Sequence, residues 1–530
     1  MNDKKYLIPL FSSIILIIGI YLGLLLSKNE NINSEIPVNR DYQKLNQILD
    51  YIEKEYVDTI NRKQLIEMTI NTLIEKLDPH SAYLSNEILS EANESLDGNF
   101  DGIGVEFNIQ KDTIVVVGVI SGGPSDLLGI MPGDRIIKVN KEKVAGIGIK
   151  NNEVIKRLRG KNGTIVKVSI LRNNKLPLIE YEIKRGKIPI KSVDISYMIT
   201  ENTGYIKINR FAATTYEEYI QSFNSLDLNK MKTLIIDLRG NSGGYLETAI
   251  AIADEFLSKD KIIVYTKGRS ILKKSIYKAT SLGEYEKGNL YVLIDEGSAS
   301  ASEILAGAIQ DNDRGIIIGR RSFGKGLVQE QLSLTDSSAI RLTIARYYTA
   351  TGRCIQKPYN HGNDDYYMDY YNRYESGELQ HEDSIHVNDS LKYKTAKGKI
   401  VYGGGGIKPD IFVPLDTTGF TSFLLDINRK GLIVNFAFKY VDKNRSKFSN
   451  IKDYNSFKKN FVLTKEIFES FIKYCAENKV NPSKAQISKS RNIIEYQLRA
   501  FIARYLISDE GFYPEINKMD NIIDKAISIK

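Results

Sequence analysis

Three stretches of this 530-residue chain bring together residue types that could do chemistry. NLYVLIDEGSASASEILAGAIQD, residues 289–311, reads as a buried strand, a turn of small residues and a helix, the layout that presents a nucleophile at the end of an α/β sheet. A hydroxyl at that helix start gains twice: the dipole favours developing negative charge, and the first N–H groups are free to donate. Ser298, Ser300 and Ser302 could equally cap the helix with Glu303 completing the pattern, so this stretch alone leaves both readings open. TLIIDLRGNSGG, residues 233–244, runs a strand into a turn that would expose backbone N–H groups, as an oxyanion hole requires; its glycine spacing does not match a dinucleotide fingerprint. GRRSFGKGLVQ, residues 319–329, nearly spells a phosphate loop. Gly326 stands where a magnesium-ligating hydroxyl is needed, which argues against a nucleotide-dependent enzyme. Lys325 in an apolar, glycine-lined pocket would instead have its pKa lowered by burial, and a neutral lysine can take a proton from serine.

The scarcity of other chemistry sharpens this reading. The chain has four histidines, His80, His361, His381 and His386, and HEDSIH spaces two of them five apart where a one-helix zinc site needs four. No metal and no cofactor are expected. His80, in the DPHSAY turn, reads as structural. Cys354 and Cys475 suggest neither a disulfide framework nor a metal cluster. A net charge of +8 spread over interleaved Lys/Arg and Asp/Glu argues against a nucleic-acid surface.

The elements that must position these residues fall into blocks. From Tyr6 to Leu26 no residue is charged, and 21 residues at ~1.5 Å rise span about one bilayer core. Lys4 and Lys5 precede that span, so the rest of the chain is expected on the extracytoplasmic side; the length of the run and the lack of an A-x-A-like cleavage site in LGLLLSKNE favour an uncleaved anchor over a signal peptide. Residues 40–77 show helical spacing that ends at Asp78-Pro79. From 98 to 184 short β runs alternate with glycine turns, and PSDLLG and NEVIKRLRG are brief helix candidates. Within it, GVISGGPSDLLGIMPGDRIIKVN resembles a PDZ domain, which adds a ligand's C-terminal strand to its sheet edge and caps the carboxylate with backbone N–H groups. Gly102, Ile103, Gly104 and Val105 form the candidate loop. Residues 190–350 alternate apolar strands, including IIVYT, with amphipathic helices, which predicts an α/β core with strands buried on both faces. Residues 358–400 read as an inserted loop of low apolar content, and the tail from 418 as mainly helical.

SASASEILAGAIQDNDRGIIIGRRSFGKGLVQ resembles the catalytic segment of the C-terminal processing peptidases, also called tail-specific proteases. That resemblance implies Ser300 as nucleophile, Lys325 as base 25 residues on, Gln329 as the residue orienting the lysine, and the Gly240 and Ala301 N–H groups as oxyanion donors. Over about residues 40–415 it implies a PDZ domain joined to a crotonase-like ββα protease core; with the N-terminal transmembrane helix and helical C-terminal region read from the pattern above, the expected fold is mixed α/β (α+β). The expected division is tail and anchor at 1–27, a helical region at 40–86, the PDZ domain at 87–185, the core at 186–417 and the helical region at 418–530. The implied function is a serine endopeptidase of the inner (plasma) membrane, facing the periplasm, that takes proteins or peptides with free apolar C-termini. PDZ movement would gate the site, with Arg159 the candidate coupling residue. The alternative is a PDZ scaffold with an inactive protease core. A homo-oligomer or an adaptor partner stays open.

Overall fold

The computed structural model describes residues 40–529 apart from 174, 270–273 and 361; the expected anchor at 6–26 lies outside them. Among the described residues no helix is long and apolar enough to cross a membrane. Residues 40–76 form a unit of their own with helices α1 (Arg40–Glu55) and α2 (Arg62–Glu75). The Asn61 side chain caps α2 by accepting from Gln64 N (3.2 Å), and Arg62 joins the two helices through Asp50 and Glu53. Much of the apolar stripe, including Leu45, Ile48 and Leu73, is exposed.

After Leu77 come a short strand, β1 (Ala82–Leu84), and helix α3 (Asn86–Asp97). A β-rich module follows: β2 (Asn99–Gly102), β3 (Val105–Ile109), β4 (Ile114–Val119), α4 (Pro124–Leu127), β5 (Arg135–Val139), β6 (Glu142–Lys143), α5 (Asn151–Leu158), β7 (Ile165–Arg172), β8 (Lys175–Lys184) and β9 (Gly186–Pro189). Its antiparallel sheet, in the order β3-β4-β5-β7-β8, closes over a core that includes Ile114, Val116, Val166, Val168 and Ile170. Burying each such side chain is worth roughly 1.5–3 kcal/mol. β2 and β9 pair with each other as a two-stranded stem, so the module runs past residue 185.

The α/β core begins with β10 (Val193–Thr200) and β11 (Thr203–Ile208), followed by α6 (Thr215–Asn224), β12 (Thr233–Asp237), α7 (Leu246–Asp254), β13 (Ile262–Gly268), β14 (Lys274–Lys278), β15 (Asn289–Ile294), α8 (Ala301–Asp311), β16 (Ile316–Gly319), β17 (Leu327–Ser333) and β18 (Ala339–Tyr348). A six-stranded sheet runs β10-β11-β12-β15-β16-β21, where β21 is Ile411–Phe412. All its neighbours are parallel except β10 and β11. IIVYT was expected among these strands. Instead β13 joins an antiparallel sheet with β1, β14, β17 and β18, because a short apolar run does not by itself say which sheet it enters.

The segment 358–400 is not a plain loop. It holds α9 (Asn363–Tyr367), α10 (Asp369–Glu375) and the hairpin strands β19 (Lys392–Lys394) and β20 (Ile400–Tyr402). Tyr366 and Arg373 are each 3% exposed, and Arg373 donates to the carbonyls of Ser322 (2.9 Å) and Phe323 (3.3 Å), just ahead of Lys325. Directed hydrogen bonds fasten the segment together with a few buried apolar side chains, Tyr366, Leu379 and Ile385.

The C-terminal region contains α11 (Ser422–Arg429), α12 (Leu432–Asn444), α13 (Tyr454–Asn460), α14 (Lys465–Glu477), α15 (Lys484–Ile507), α16 (Asp509–Ile516) and α17 (Asn521–Ser528). α11 to α15 share a core that includes Phe423, Phe457, Phe471 and Leu498. α17 lays Ile522, Ile523 and Ala526 against Tyr205, Ile235 and Leu293, so the chain's last helix covers one face of the parallel sheet. α6, α7 and α8 cover the other.

At the far end of α8, Arg353 is fully buried, donating to Asp311 Oδ1 (2.6 Å), Gln310 Oε1 (2.8 Å) and the Tyr402 carbonyl (2.9 Å). Arg353→Ala would strand the buried Asp311 carboxylate, and unfolding in urea is expected to show a loss of about 3–5 kcal/mol. A loss under about 1 kcal/mol would mean that the pair is not holding the helix.

Candidate active site

Ser300 sits between β15 and α8 with φ +56° and ψ −113°, a conformation that L-residues avoid. Strain of this kind costs about 1–3 kcal/mol and persists only where surrounding contacts enforce it. Here they do. Ser298 Oγ donates to the Leu238 carbonyl (2.9 Å), Ala299 N to the Asn241 carbonyl (3.0 Å) and Ser302 Oγ to that same carbonyl (2.8 Å). The turn after β12 thus grips the residues on both sides of Ser300.

Glu303, with no exposed surface, then ties this turn to the lysine segment. Its carboxylate accepts from Ser300 N (2.9 Å), Lys325 N (2.8 Å), Gly324 N (2.7 Å) and Ser322 Oγ (2.5 Å). Burial pushes its pKa up, and these four donors pull it back. Glu303 is therefore a structural anchor, and only the Ser300 N contact belongs to the capping pattern expected of it. Tyr347 adds a second tie: its hydroxyl reaches the Lys325 carbonyl (2.6 Å) and the Ser300 carbonyl (3.2 Å).

Ser300, Lys325 and Gln329 line one cleft of about 640 Å³ together with Leu96, Gly244 and Arg341. Lys325 is mostly buried, and desolvation, helped by the Arg341 charge and opposed by Glu303 and Asp78, holds its pKa below the usual lysine value. Lys325 Nζ donates to Gln329 Oε1 (2.9 Å); among the described residues it makes no hydrogen bond to Ser300 Oγ. Gln329 is itself oriented, since its Nε2 donates to the His80 carbonyl.

His80 is the residue whose surroundings the sequence concealed. Its ring bonds the Tyr366 hydroxyl (2.7 Å) and meets the rings of Tyr366 and Phe323 edge-on. Asp78 shapes its turn by accepting from His80 N (2.8 Å) and Ser81 N (2.9 Å). The DPHSAY reading as a structural turn is apt for the ring, yet the backbone carbonyl of that turn supports Gln329.

Gly240 does not face this cleft. Its N–H donates to Asp295 Oδ1 (2.8 Å), and it lines a different cavity together with Arg239, Asp295 and Asp520. A strand-end sequence does not reveal which way each N–H points. The glycine against Ser300 is Gly243, where an added Cβ would lie 2.8 Å from Ser300 Cβ and 2.8 Å from the Ala299 carbonyl oxygen. Among the described residues the N–H groups of Gly244 and Ala301 have no acceptor. Gly244 also tolerates no side chain, because a Cβ would fall 2.0 Å from the Phe211 carbonyl oxygen.

In the β-rich module, Gly102 is paired with Gly186 at the end of β2, and Val105 opens β3. The loop proper is Ile103-Gly104, with Gly104 at φ +74°. Their carbonyls accept from Ser125 N (3.1 Å) and Ile120 N (3.0 Å). Arg159 lies over the Phe100 ring (4.3 Å) and pairs with Glu94 (2.6 Å); Glu94 belongs to α3, whose Asn93, Ser95 and Leu96 line the cleft.

This arrangement has counterparts among known proteins. Residues 202–362 match the peptidase family S41 and residues 102–183 the PDZ domain. Residues 24–88 match the activating protease CtpB N-terminal domain, and 423–508 a family of unknown function. Fold and site together define a serine-type peptidase of mixed α/β architecture that carries a PDZ domain. The carboxy-terminal processing protease CtpB of Bacillus subtilis is 32% identical over 351 residues, 64% of this chain and 72% of that one. The carboxy-terminal-processing protease of Bartonella bacilliformis is 33% identical over 351 residues, 65% of this chain and 80% of that one. Among solved structures, the photosystem II D1 C-terminal processing protease is 23% identical with a TM-score of 0.36, over 70% of this chain and 86% of that one. This chain belongs to the carboxy-terminal processing proteases.

Burial and the neighbouring Lys325 push the His80 pKa from 6.5 down to about 4. The folded state then resists a proton that the unfolded chain accepts, so stability is present above about pH 6.5 and is lost as pH falls toward 4. Urea unfolding at pH 7 and pH 5 is expected to show this loss in the wild type and less of it in His80→Gln. Equal losses in the two proteins would rule out His80 as the source.

Proposed function

We propose that this protein is an endopeptidase in which Lys325 deprotonates Ser300, the Ser300 Oγ attacks a peptide carbonyl, and water later releases the acyl-enzyme. The observation that carries this reading is the joint placement of Ser300, Lys325 and Gln329 in one cleft. Glu303 and Tyr347 hold the serine and lysine segments by their backbones, which leaves the two side chains to the substrate. The free N–H groups of Ala301 and Gly244 would receive the oxyanion, a role that Gly240 cannot fill. Gln329, braced by His80, supports Nζ until a substrate approaches.

Substrate choice would rest with the PDZ domain: the Ile103-Gly104 N–H groups would cap the carboxylate of an unstructured, apolar C-terminal tail. The Arg159–Glu94 pair supports a route from that domain to α3 and the cleft. The uncharged stretch Tyr6–Leu26, with Lys4 and Lys5 ahead of it, supports a single membrane anchor in the plasma membrane. The catalytic part would then act on exported proteins on the extracytoplasmic side.

Two measurements on the purified full chain test the dyad. Ser300→Ala should cut the rate on a quenched fluorescent peptide with a free apolar C-terminus by roughly a thousandfold or more. Unchanged cleavage would favour the scaffold alternative for this core. The rate should also rise with pH along a limb below the usual lysine range, because only the neutral amine is a base. In Gln329→Glu a carboxylate beside Nζ favours the ammonium, so the limb should move to higher pH by about one unit or more. A limb in the same place in both proteins would exclude Lys325 as the titrating group.

A further inference from the structure

We infer that Asp520, in the C-terminal tail, is a positioning residue for the catalytic turn and acts through Arg239. The inference rests on the reading in which Ser300 attacks and the turn after β12 supplies an oxyanion donor. Residues 509–529 lie beyond both the peptidase match and the match at 423–508.

Asp520 makes two separable sets of contacts. Its Oδ1 accepts from Ile522 N (3.0 Å) and Ile523 N (3.1 Å), which caps α17. Its Oδ2 accepts from Arg239 Nη1 (2.6 Å). The other side of the Arg239 guanidinium holds Asp237, with Nε on Oδ1 (2.9 Å) and Nη2 on Oδ2 (2.6 Å). Lys207 Nζ and the Tyr205 hydroxyl also reach Asp237. Two cations, Lys207 and Arg239, therefore balance two anions, Asp237 and Asp520, with side chains between 1% and 20% exposed. All four line a cavity of about 470 Å³, so solvent screens the charge when Asp520 is lost, but water does not replace the directed contact that holds Arg239 in the turn after β12.

That turn brackets the nucleophile. Leu238 and Asn241, on either side of Arg239 and Gly240, supply the carbonyls that hold Ser298, Ala299 and Ser302. Gly243 and Gly244 follow directly. With Asp520 in place, Arg239 is held from both sides: by Asp237 on its own strand, and by a helix docked through Ile522 and Ile523 on the sheet. Without it, Arg239 keeps Asp237, and its carbonyl keeps Lys207 Nζ, but its guanidinium loses the contact to the start of α17. A small displacement at Gly244 would weaken oxyanion binding without altering how a substrate tail is captured.

Two variants separate this role from capping. Asp520→Asn keeps an oxygen to cap α17 and presents no charge to Arg239; Asp520→Ser keeps a cap and is too short to reach it. On the full chain, with the quenched peptide, both should lower kcat between about tenfold and a hundredfold with KM within about twofold and Tm close to wild type. Asp520→Ala should lower kcat similarly and also lower Tm, because the cap is lost. Wild-type kcat in the Asn and Ser variants overturns the proposal. So does a Tm fall in them equal to that of the Ala variant, which, since both keep the cap, would make the Asp520–Arg239 pair a contact that holds the fold and nothing more. Ser300→Ala in the same assay keeps the two claims apart: full activity there would overturn the Ser300 reading itself, whatever the Asp520 variants do.

Discussion

A buried carboxylate is costly unless donors replace the water it loses, and Glu303 has four of them, drawn from two segments more than twenty residues apart. The rest of the site depends on that arrangement. Two of the donors are the backbone N–H groups of Ser300 and Lys325, so satisfying one charge sets the Ser300 segment and the Lys325 segment at a defined separation. Tyr347 repeats the constraint from the carbonyl side. Both ties use main chain, and neither consumes the Ser300 hydroxyl or the Lys325 amine. The unfavourable backbone of Ser300 is held by the same network.

Around this centre, parts far apart in the chain act as braces. The turn at 78–81 supports Gln329 through a carbonyl, and the insert closes on that turn through Tyr366 and on the lysine loop through Arg373. The last helix seals one face of the parallel sheet and reaches the DLRGN turn through Asp520. The C-terminal helices also touch the PDZ domain, where Asn435 meets Asn108 (2.9 Å) and Asp442 meets Arg135 (3.3 Å). One helical region therefore contacts both the PDZ domain and the sheet that leads into Ser300.

Local pattern made much of this legible. The strands over 203–208, 233–237 and 289–294 and the helices over 215–224, 246–254 and 301–311 have the periods their environments demand, because a core sheet and its covering helices sort side chains by face. Ser300, Lys325 and Gln329, singled out by spacing and motif, come to line one cleft. The misses share one cause. IIVYT entered another sheet, the insert is pinned by a few residues such as Tyr366 and Arg373, and Gly240 turns its N–H to Asp295. Each is settled by a partner tens to hundreds of residues away.

By itself the sequence determined the kinds of element, their order, the small-residue turn that can hold a strained serine and the placement of a lysine shortly after a buried strand. These follow from local steric and hydrophobic preferences that each segment carries with it. Only the tertiary structure decided which N–H groups face the cleft, that His80 supports Gln329, that Glu303 serves two segments at once and that Asp520 lies against Arg239. Those contacts are directional and form between distant segments, and a hydrogen bond's direction exists only once both partners have been placed.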